Sequence, residues 1–369
     1  MNAIAHTASD KIRNGERIEF TEALALYQQN DLLLLAELAN RVKHTKSGQN
    51  VYFNVNRHIN LTNICHARCP LCAFGCDATA EHAFVLDRSK VEKMVRQAAE
   101  TCPEITEIHI VSALHPDKPF SYFLDIIQAV KAQLPAVSIK AFTPVEIIHF
   151  AKTAGLTIET VLAELKAAGL GSLPGGGAEI LDDSIRREIC PNKATTAEWI
   201  TVIKTAHRLG LPTNATMLYG HIETLEQRLK HLFTIREIQD ETGGFQAYVG
   251  FPFHPENTEL AKKYNIRRVS AWEGLKMIAM ARLILDNIDH IKAFWMMLTL
   301  PVTQLSLAFG VDDLDGTVVE EKIIHAAGAV TKKGITKQEL AALIAETGLR
   351  PVERDTFYQP ITINQGVGQ

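Results

Sequence analysis

Short apolar runs alternate with longer stretches of helical periodicity along most of the chain. Eight segments read as strands: residues 51–59, 105–112, 137–142, 169–173, 212–219, 245–250, 291–297 and 304–309. They are apolar or β-branched, the pattern of strands covered on both faces. Between them apolar residues recur three and four apart. Val91, Met94, Val95, Ala98, Ala99 and Cys102 form one stripe; Phe123, Ile126, Ile127, Val130 and Leu134 form another; Leu275, Ile278, Ala279 and Leu283 form a third. Such stripes predict helices with one buried face. Ser89 with Glu92, and Thr195 with Glu198, are spaced as capping boxes, in which a hydroxyl and a carboxylate satisfy first-turn amides.

Strands alternating with helices over residues 51–330 predict an α/β fold, a (β/α)8 TIM-type barrel, complete or partial. An open doubly wound sheet is the other architecture this alternation allows. Residues 1–50 read as an N-terminal helical segment, periodic at 22–29 and 31–44. Residues 331–369 read as a C-terminal extension with one helix at 337–346. In a barrel, functional groups belong just after strands, at the C-terminal face.

Composition narrows the function. The 369 residues are 46% hydrophobic and 22% charged, ordinary globular values that permit a large core. Thirty-eight basic against 42 acidic residues leave a net charge of −4. No basic block is present, which argues against nucleic acid or an anionic membrane surface as partner. The apolar stretch at 293–302 is far short of the ~20 residues of a membrane span. The first residues run into Asp10, Lys11 and Arg13 without an apolar signal core, so a cytoplasmic location is expected.

Six cysteines sharpen the picture, because Cys65, Cys69, Cys72 and Cys76 crowd one loop directly after the first strand. In a large chain without a signal peptide such a group points to metal or catalysis rather than disulfides. A structural zinc site or an electron-carrying iron–sulfur site would want four ligands, with Cys76 as the fourth. Three cysteines spaced CxxxCxxC leave one coordination position open, which is the mark of a catalytic centre.

CxxxCxxC after the first strand of a β/α barrel resembles the radical S-adenosylmethionine (SAM) superfamily. The resemblance implies a 4Fe-4S cluster on Cys65, Cys69 and Cys72, with SAM on the open iron. Cys76, Cys102 and Cys190 are then spare, and Cys102 reads as a small core residue. It further implies SAM contacts from Phe74, Ser112, Ser172, Gly175, Gly176, Gly177, Glu179, Tyr219 and Glu223. Ser112-Ala113 stands where the superfamily often has Gly-Gly, and Leu71 where an aromatic residue is usual. The triple glycine has two readings, a backbone surface against a ligand or a turn needing positive φ. Gly220 and Glu223 match the end of a superfamily strand-five pattern.

The segments SLPGGGAE (172–179), NATMLYGHIET (214–224), QDETGGF (239–245), HPENT (254–258) and DDLDGTVVEE (312–321) resemble the radical enzymes of menaquinone (futalosine) biosynthesis over nearly all of 51–330. KAFTPVE (140–146), ICPNK (189–193) and His254 lean toward that group's aminofutalosine synthases; Pro252-Phe253 leans toward its cyclases. The synthase resemblance implies a transferase that adds the 5′-deoxyadenosyl radical to 3-[(1-carboxyvinyl)oxy]benzoate, with SAM consumed as cosubstrate. It also implies an electron donor such as flavodoxin or ferredoxin. Glu146, His221 and His254 are the expected catalytic groups; Arg57, His58, His115 and Asp313 are the expected substrate contacts. Glu146 also reads as a helix-start carboxylate, His115 as a turn residue before Pro116, Asp315 as a helix cap, and Trp295 as core.

Overall fold

In the computed structural model, which describes residues 2–319, 322–329, 331–332 and 334–361, three helices precede the first strand. They are α1 (Ala3–Arg13), α2 (Phe20–Gln28) and α3 (Leu32–Ser47). Side chains of Asn2 and Asp31 accept from the Ala5 and Leu34 amides and start α1 and α3. The sequence pattern missed α1, whose buried stripe of Ala5, Ala8 and Ile12 is mostly alanine. Arg17 bonds both Asp240 and Asp286 at 2.7 Å and ties this layer to the rest.

The strand expected at 51–59 is two strands, β1 (Asn50–Phe53) and β2 (Asn56–Ile59), in different sheets. A later segment wedges them apart. Asn56 exchanges hydrogen bonds with the Thr317 hydroxyl and receives one from the Val318 amide. A Cβ on Gly316 would stand 2.3 Å from the Asn54 carbonyl oxygen, so only glycine lets the two backbones pass.

The chain then alternates. α4 (Arg88–Thr101), β3 (Glu107–Ile110), α5 (Phe120–Gln133) and β4 (Ser138–Ala141) come first, followed by α6 (Pro144–Ala154), α7 (Ile158–Ala168) and β5 (Leu170–Ser172). Next are α8 (Asp183–Ile189), α9 (Thr196–Arg208), β6 (Thr213–Tyr219), α10 (Leu225–Thr242) and β7 (Phe245–Pro252). α11 (Glu259–Tyr264), α12 (Ala271–Ile284), β8 (His290–Ala293), α13 (Trp295–Leu298), α14 (Leu300–Ser306) and β9 (Asp313–Leu314) complete the wall. α15 (Ile323–Ala326), α16 (Lys337–Ala345) and β10 (Arg350–Glu353) end it. Thr195 and Glu198 form the expected capping box, but α4 starts one residue after Asp87, which caps it in place of Ser89.

All strand pairs are parallel, in a six-stranded sheet β10-β1-β9-β8-β7-β6 and a four-stranded sheet β2-β3-β4-β5. The sheets meet at two seams, the bridges Leu173↔Thr213 and Arg57↔Val319. The ladders do not close, so the expected α/β barrel is of the partial kind. Helices cover the outside, and the strand residues that meet them, such as Ile108, Ile110, Ile139 and Ala141, are apolar and buried.

Two expected strands are corrected. Residues 304–309 are the end of α14 and a 3-10 turn (Leu307–Phe309), and the last wall strand is the two-residue β9. β8 stops at Ala293, and Trp295 lies in α13, buried, donating to the Gly316 carbonyl at 2.9 Å. β10, from the region expected as an extension, pairs with β1 from Asn50↔Arg350 to Phe53↔Glu353. Glu320 and Glu321 of the 312–321 segment, and residues 362–369 of the C-terminal extension, lie outside the described residues. Among the described residues no helix is long and apolar enough to cross a membrane.

Candidate active site

A cavity of about 330 Å³ opens among the C-terminal ends of the strands. That size is at the lower end of ligand pockets. Its upper wall is the loop after β2, with Cys65, Leu71, Cys72, Phe74 and Gly75, facing Ser112, Thr143, Glu146, Gly176, Gly177, Glu179 and Lys193. Its side is apolar: Val249, Phe251, Phe253, Phe294 and Met297. Inward-facing strand residues line its depth, namely His58, Glu107, His109, Lys140, Asn214, Thr216, Lys292 and Asp315.

The depth is an ionic layer fixed by strand register. His58 pairs with His109, His109 with Lys140, and Lys140 with Ser172 across neighbouring strands. The His58 and His109 rings lie 4.3 Å apart. Burial, helped by the charge of His58, pushes His109 down to about 3, so its ring is neutral at pH 7. Lys140 and Glu107 are both buried and 2.8 Å apart. Burial lowers the Lys140 ammonium; Glu107 overcomes its own burial through Lys140 and stays well below the usual carboxylate range. The Thr356 hydroxyl, beyond β10, donates to Glu107 at 2.7 Å.

In the upper wall, Thr143 starts α6 and Glu146 completes its capping box. One Glu146 oxygen accepts from the Thr143 amide and hydroxyl, both at 2.8 Å; the other accepts from the Ser112 amide at 2.9 Å. The carboxylate therefore clamps the end of β3 to the start of α6. Burial raises its pKa to about 7 against the pull of these bonds. Lys193 bonds Glu179 at 2.8 Å. Although burial opposes its charge, Lys193 stays well above the usual lysine value, chiefly because of the Glu179 carboxylate beside it.

Comparison with known proteins supplies the decisive observation. The chain is 44% identical to the aminodeoxyfutalosine synthase of Thermus thermophilus over 96% of its length and 95% of the relative's. The chain belongs to the radical SAM enzymes. The Radical SAM superfamily matches residues 59–235, and the CofH/MqnC C-terminal region matches 242–367. Aminodeoxyfutalosine synthase of Streptomyces coelicolor is 40% identical, over 96% of this chain and 94% of that one. A 5-amino-6-(D-ribitylamino)uracil–L-tyrosine 4-hydroxyphenyl transferase of Archaeoglobus fulgidus is 42% identical, over 87% and 92%. The crystal structure of methylornithine synthase (PylB) shares the fold at TM-score 0.74 and 16% identity, covering 93% of this chain and 97% of that one.

The cysteine loop of this radical SAM enzyme carries the donor type that an iron–sulfur cluster takes, although among the described residues no three His, Cys, Asp or Glu side chains converge as a metal site. Three soft thiol donors sit on one turn, where the Cys72 amide donates to the Cys69 carbonyl at 2.9 Å. Cys65 and Cys72 face the cavity, and Cys69 is buried, its thiol pushed up to about 12 chiefly by burial. A bound metal would have to supply the charge that favours its thiolate. A Cβ on Gly75 would crowd Cys65 at 3.1 Å. The loop is pinned from outside: the Asn192 side chain donates to Ala67 O at 3.1 Å, and the Leu260 amide donates to Pro70 O at 2.9 Å. Cys76 is off the cavity; its amide and carbonyl bridge Asn63 and Cys65.

The structure brings Cys65, Cys72, Phe74, Ser112, Glu146, Gly176, Gly177, Glu179, His58 and His254 to the cavity. His254 donates from Nε2 to the Met297 carbonyl at 3.1 Å, which leaves Nδ1 a buried acceptor without a partner. The other expected residues stand outside the cavity wall. Ser172 and Gly175 lie beneath it; Gly175 has φ +75°, and a Cβ there would fall 1.8 Å from Asn214 O. The turn reading thus holds at Gly175 and at Gly177, which has φ +81°, while Gly176 and Gly177 also reach the cavity.

Glu223 accepts from the amides of Gly220 and His221 and from Arg228 Nε at 2.6 Å. His221 lies with Nδ1 2.8 Å from Glu223, and its Nε2 donates to Leu218 O. Both are absorbed in fixing the turn after β6. Tyr219 is buried behind that turn, 5.5 Å from the Arg228 guanidinium. The His115 ring accepts from the Asp117 amide, as the turn reading implied. Arg57 is buried on β2 beside the seam with Val319. Asp313 lies fully buried below, bonded to Arg354 at 2.7 Å and Tyr358 at 2.5 Å. Asp315 is no helix cap: it lines the cavity 3.3 Å from Lys292.

Sequence reasoning missed Glu107, His109, Lys140, Lys193 and Lys292 as cavity residues. The signal was present for three of them. Glu107, Lys140 and Lys292 are charged residues inside otherwise apolar strands, where an unpaired charge is too costly to keep.

Proposed function

We propose that this enzyme is an aminodeoxyfutalosine synthase, converting 3-[(1-carboxyvinyl)oxy]benzoate and SAM to 6-amino-6-deoxyfutalosine in menaquinone biosynthesis. The observation that carries this reading is the near-full-length 44% identity to a synthase of that name. When bound, the 4Fe-4S cluster supplies an electron that cleaves the SAM sulfonium and gives the 5′-deoxyadenosyl radical. In the proposed reaction the 5′ carbon adds to the vinyl CH2 of the substrate, the resulting carbon radical bonds to the ring as the ring's C–O bond breaks, and the freed oxygen becomes a ketone as the carboxylate is lost as carbon dioxide and one electron is given back. Flavodoxin or ferredoxin is the proposed electron donor, and the cytoplasm the proposed compartment.

The chain's own residues have three tasks. Cys65, Cys69 and Cys72 hold the cluster at one end of the cavity. Ser112, Gly176, Gly177, Phe74 and the Glu179–Lys193 pair form the adjoining wall for SAM. Lys193 offers a cation to its carboxylate; the Glu146 clamp fixes the Ser112 amide in place and so acts as a positioning group. The apolar side made by Phe251, Phe253, Phe294 and Met297 excludes water and takes the aromatic ring. His254 presents Nδ1 as the one ring nitrogen able to accept a proton or a hydrogen bond there.

The test is anaerobic reconstitution with iron and sulfide, then dithionite, SAM and the enolpyruvyl benzoate, read by mass spectrometry. A product of 6-amino-6-deoxyfutalosine mass supports the synthase. 5′-Deoxyadenosine without that product refutes it and favours hydrogen abstraction from a nucleoside, as in a cyclase. The 42% identity to the Archaeoglobus enzyme favours a second reading, arylation with tyrosine as donor. Parallel incubation with L-tyrosine and 5-amino-6-(D-ribitylamino)uracil tests it directly.

A further inference from the structure

We propose that Lys292, at the end of β8, receives the ring carboxylate of a carboxylated aromatic substrate and so sets which substrates the cavity accepts. The proposal rests on the synthase reading and deepens it.

Among the described residues three lysines line the cavity: Lys193, Lys140 and Lys292. Lys193 is committed to Glu179 and adjoins the cysteine loop. Lys140 is closed on Glu107 at 2.8 Å, and Thr356 holds that acid from below. Lys292 is different. It is 5% exposed, yet its two acid partners are loose, Asp315 at 3.3 Å and Asp313 at 3.5 Å. Asp313 offers Lys292 only the oxygen it already shares with Arg354 and Tyr358, Oδ2, while its Oδ1 has no hydrogen-bond partner. A buried ammonium has three donors to place and gains most from a short, charge-assisted acceptor. A carboxylate entering the cavity would supply one.

The surroundings fix which carboxylate. Lys292 lies opposite Val249 of β7 in the parallel register, and Phe294 follows one residue after β8. The Phe251 and Phe294 rings meet edge to face at 5.7 Å. A benzoate ring laid against this wall would direct its carboxylate toward Lys292. Its ether-linked vinyl group would then extend toward Cys65 and Cys72, the end where the adenosyl radical arises. The enolpyruvyl carboxylate, which leaves in the reaction, has no need of the deeper cation.

Isothermal titration of the reconstituted, unreduced enzyme with SAM present tests this without turnover. The probes are 3-[(1-carboxyvinyl)oxy]benzoate and 2-phenoxyacrylate, which lacks only the ring carboxylate. One charge-assisted bond predicts roughly tenfold to hundredfold tighter binding of the former by wild type. Lys292→Gln should shrink that ratio to near unity with the cluster absorbance unchanged, and Lys292→Arg should keep part of it. Asp315→Asn removes the competing acid and should tighten benzoate binding severalfold while leaving 2-phenoxyacrylate unaffected. It also provides a measurement if Lys292→Gln does not fold. A ratio unchanged by Lys292→Gln, an equal loss for both probes, no discrimination by wild type, or weaker benzoate binding by Asp315→Asn each overturns the proposal. Discrimination that depends on Lys292, with no adduct after reduction, would instead sink the synthase reading and leave the carboxylate site standing.

Discussion

Glu223→Gln separates two roles for a residue that the superfamily pattern places at the SAM site. The structure engages both carboxylate oxygens: Gly220 N and Arg228 Nε donate to one and His221 N to the other, with the His221 ring alongside. Against the cost of burial, these partners hold its pKa at about 2, from a usual 4.5. That displacement corresponds to about 3 kcal/mol of folding stability. Because the side chain is fully buried, solvent screening does not reduce it.

The sign follows from the direction. A carboxyl with a lowered folded value stabilises above its unfolded value and loses that contribution as pH falls toward about 2. Glutamine keeps the volume and one acceptor but not the charge. Urea midpoints at pH 7 should therefore fall for Glu223→Gln by the equivalent of about 3 kcal/mol. The gap to wild type should be constant from pH 8 to 5 and narrow below about 4.5. SAM affinity, measured on the variant below its unfolding range, should change little. An unchanged urea midpoint combined with a large loss of SAM affinity would refute the reasoning and return Glu223 to the SAM site.

Cys76→Ala should keep a wild-type complement of iron and sulfide and retain activity, whereas alanine at Cys65, Cys69 or Cys72 should abolish cluster absorbance; iron and sulfide analysis after reconstitution reads both. Asp313→Asn leaves Arg354 buried without its full partner, and removing one member of a buried pair costs about 3–5 kcal/mol. Its denaturation midpoint should drop accordingly. Gly175→Ala sets a Cβ 1.8 Å from Asn214 O at φ +75°. It should yield little soluble enzyme, while Gly210→Ala, with only a lysine tip 3.5 Å away, should be milder in the same expression and melting assay.

The class of fold and the cysteine loop were legible from local sequence alone. Apolar strand runs alternating with amphipathic helices admit few architectures, because each face must be buried against the next layer. Three cysteines within one loop are close in space whatever the rest of the chain does, so their chemistry is local. The same holds for the Thr195–Glu198 box, whose partners are three residues apart. Tertiary structure decided everything that depends on distant partners. Residues 304–309 carry an apolar pattern that suits strand or helix, and only packing made them a helix end. The strand at 51–59 broke because Gly316 and Thr317 arrive from more than 250 residues away. Glu223 and Asp313 carry the same chemistry as any cavity acid. Their placement beside Arg228 and Arg354, rather than toward the cavity, came from where α10 and the segment after β10 fell. Conversely, Lys140 and Lys292 are charges within largely apolar strands, and only the curvature of the sheet turns them into the cavity. Side-chain direction in a curved parallel sheet follows from register and partner, and neither is local to the residue.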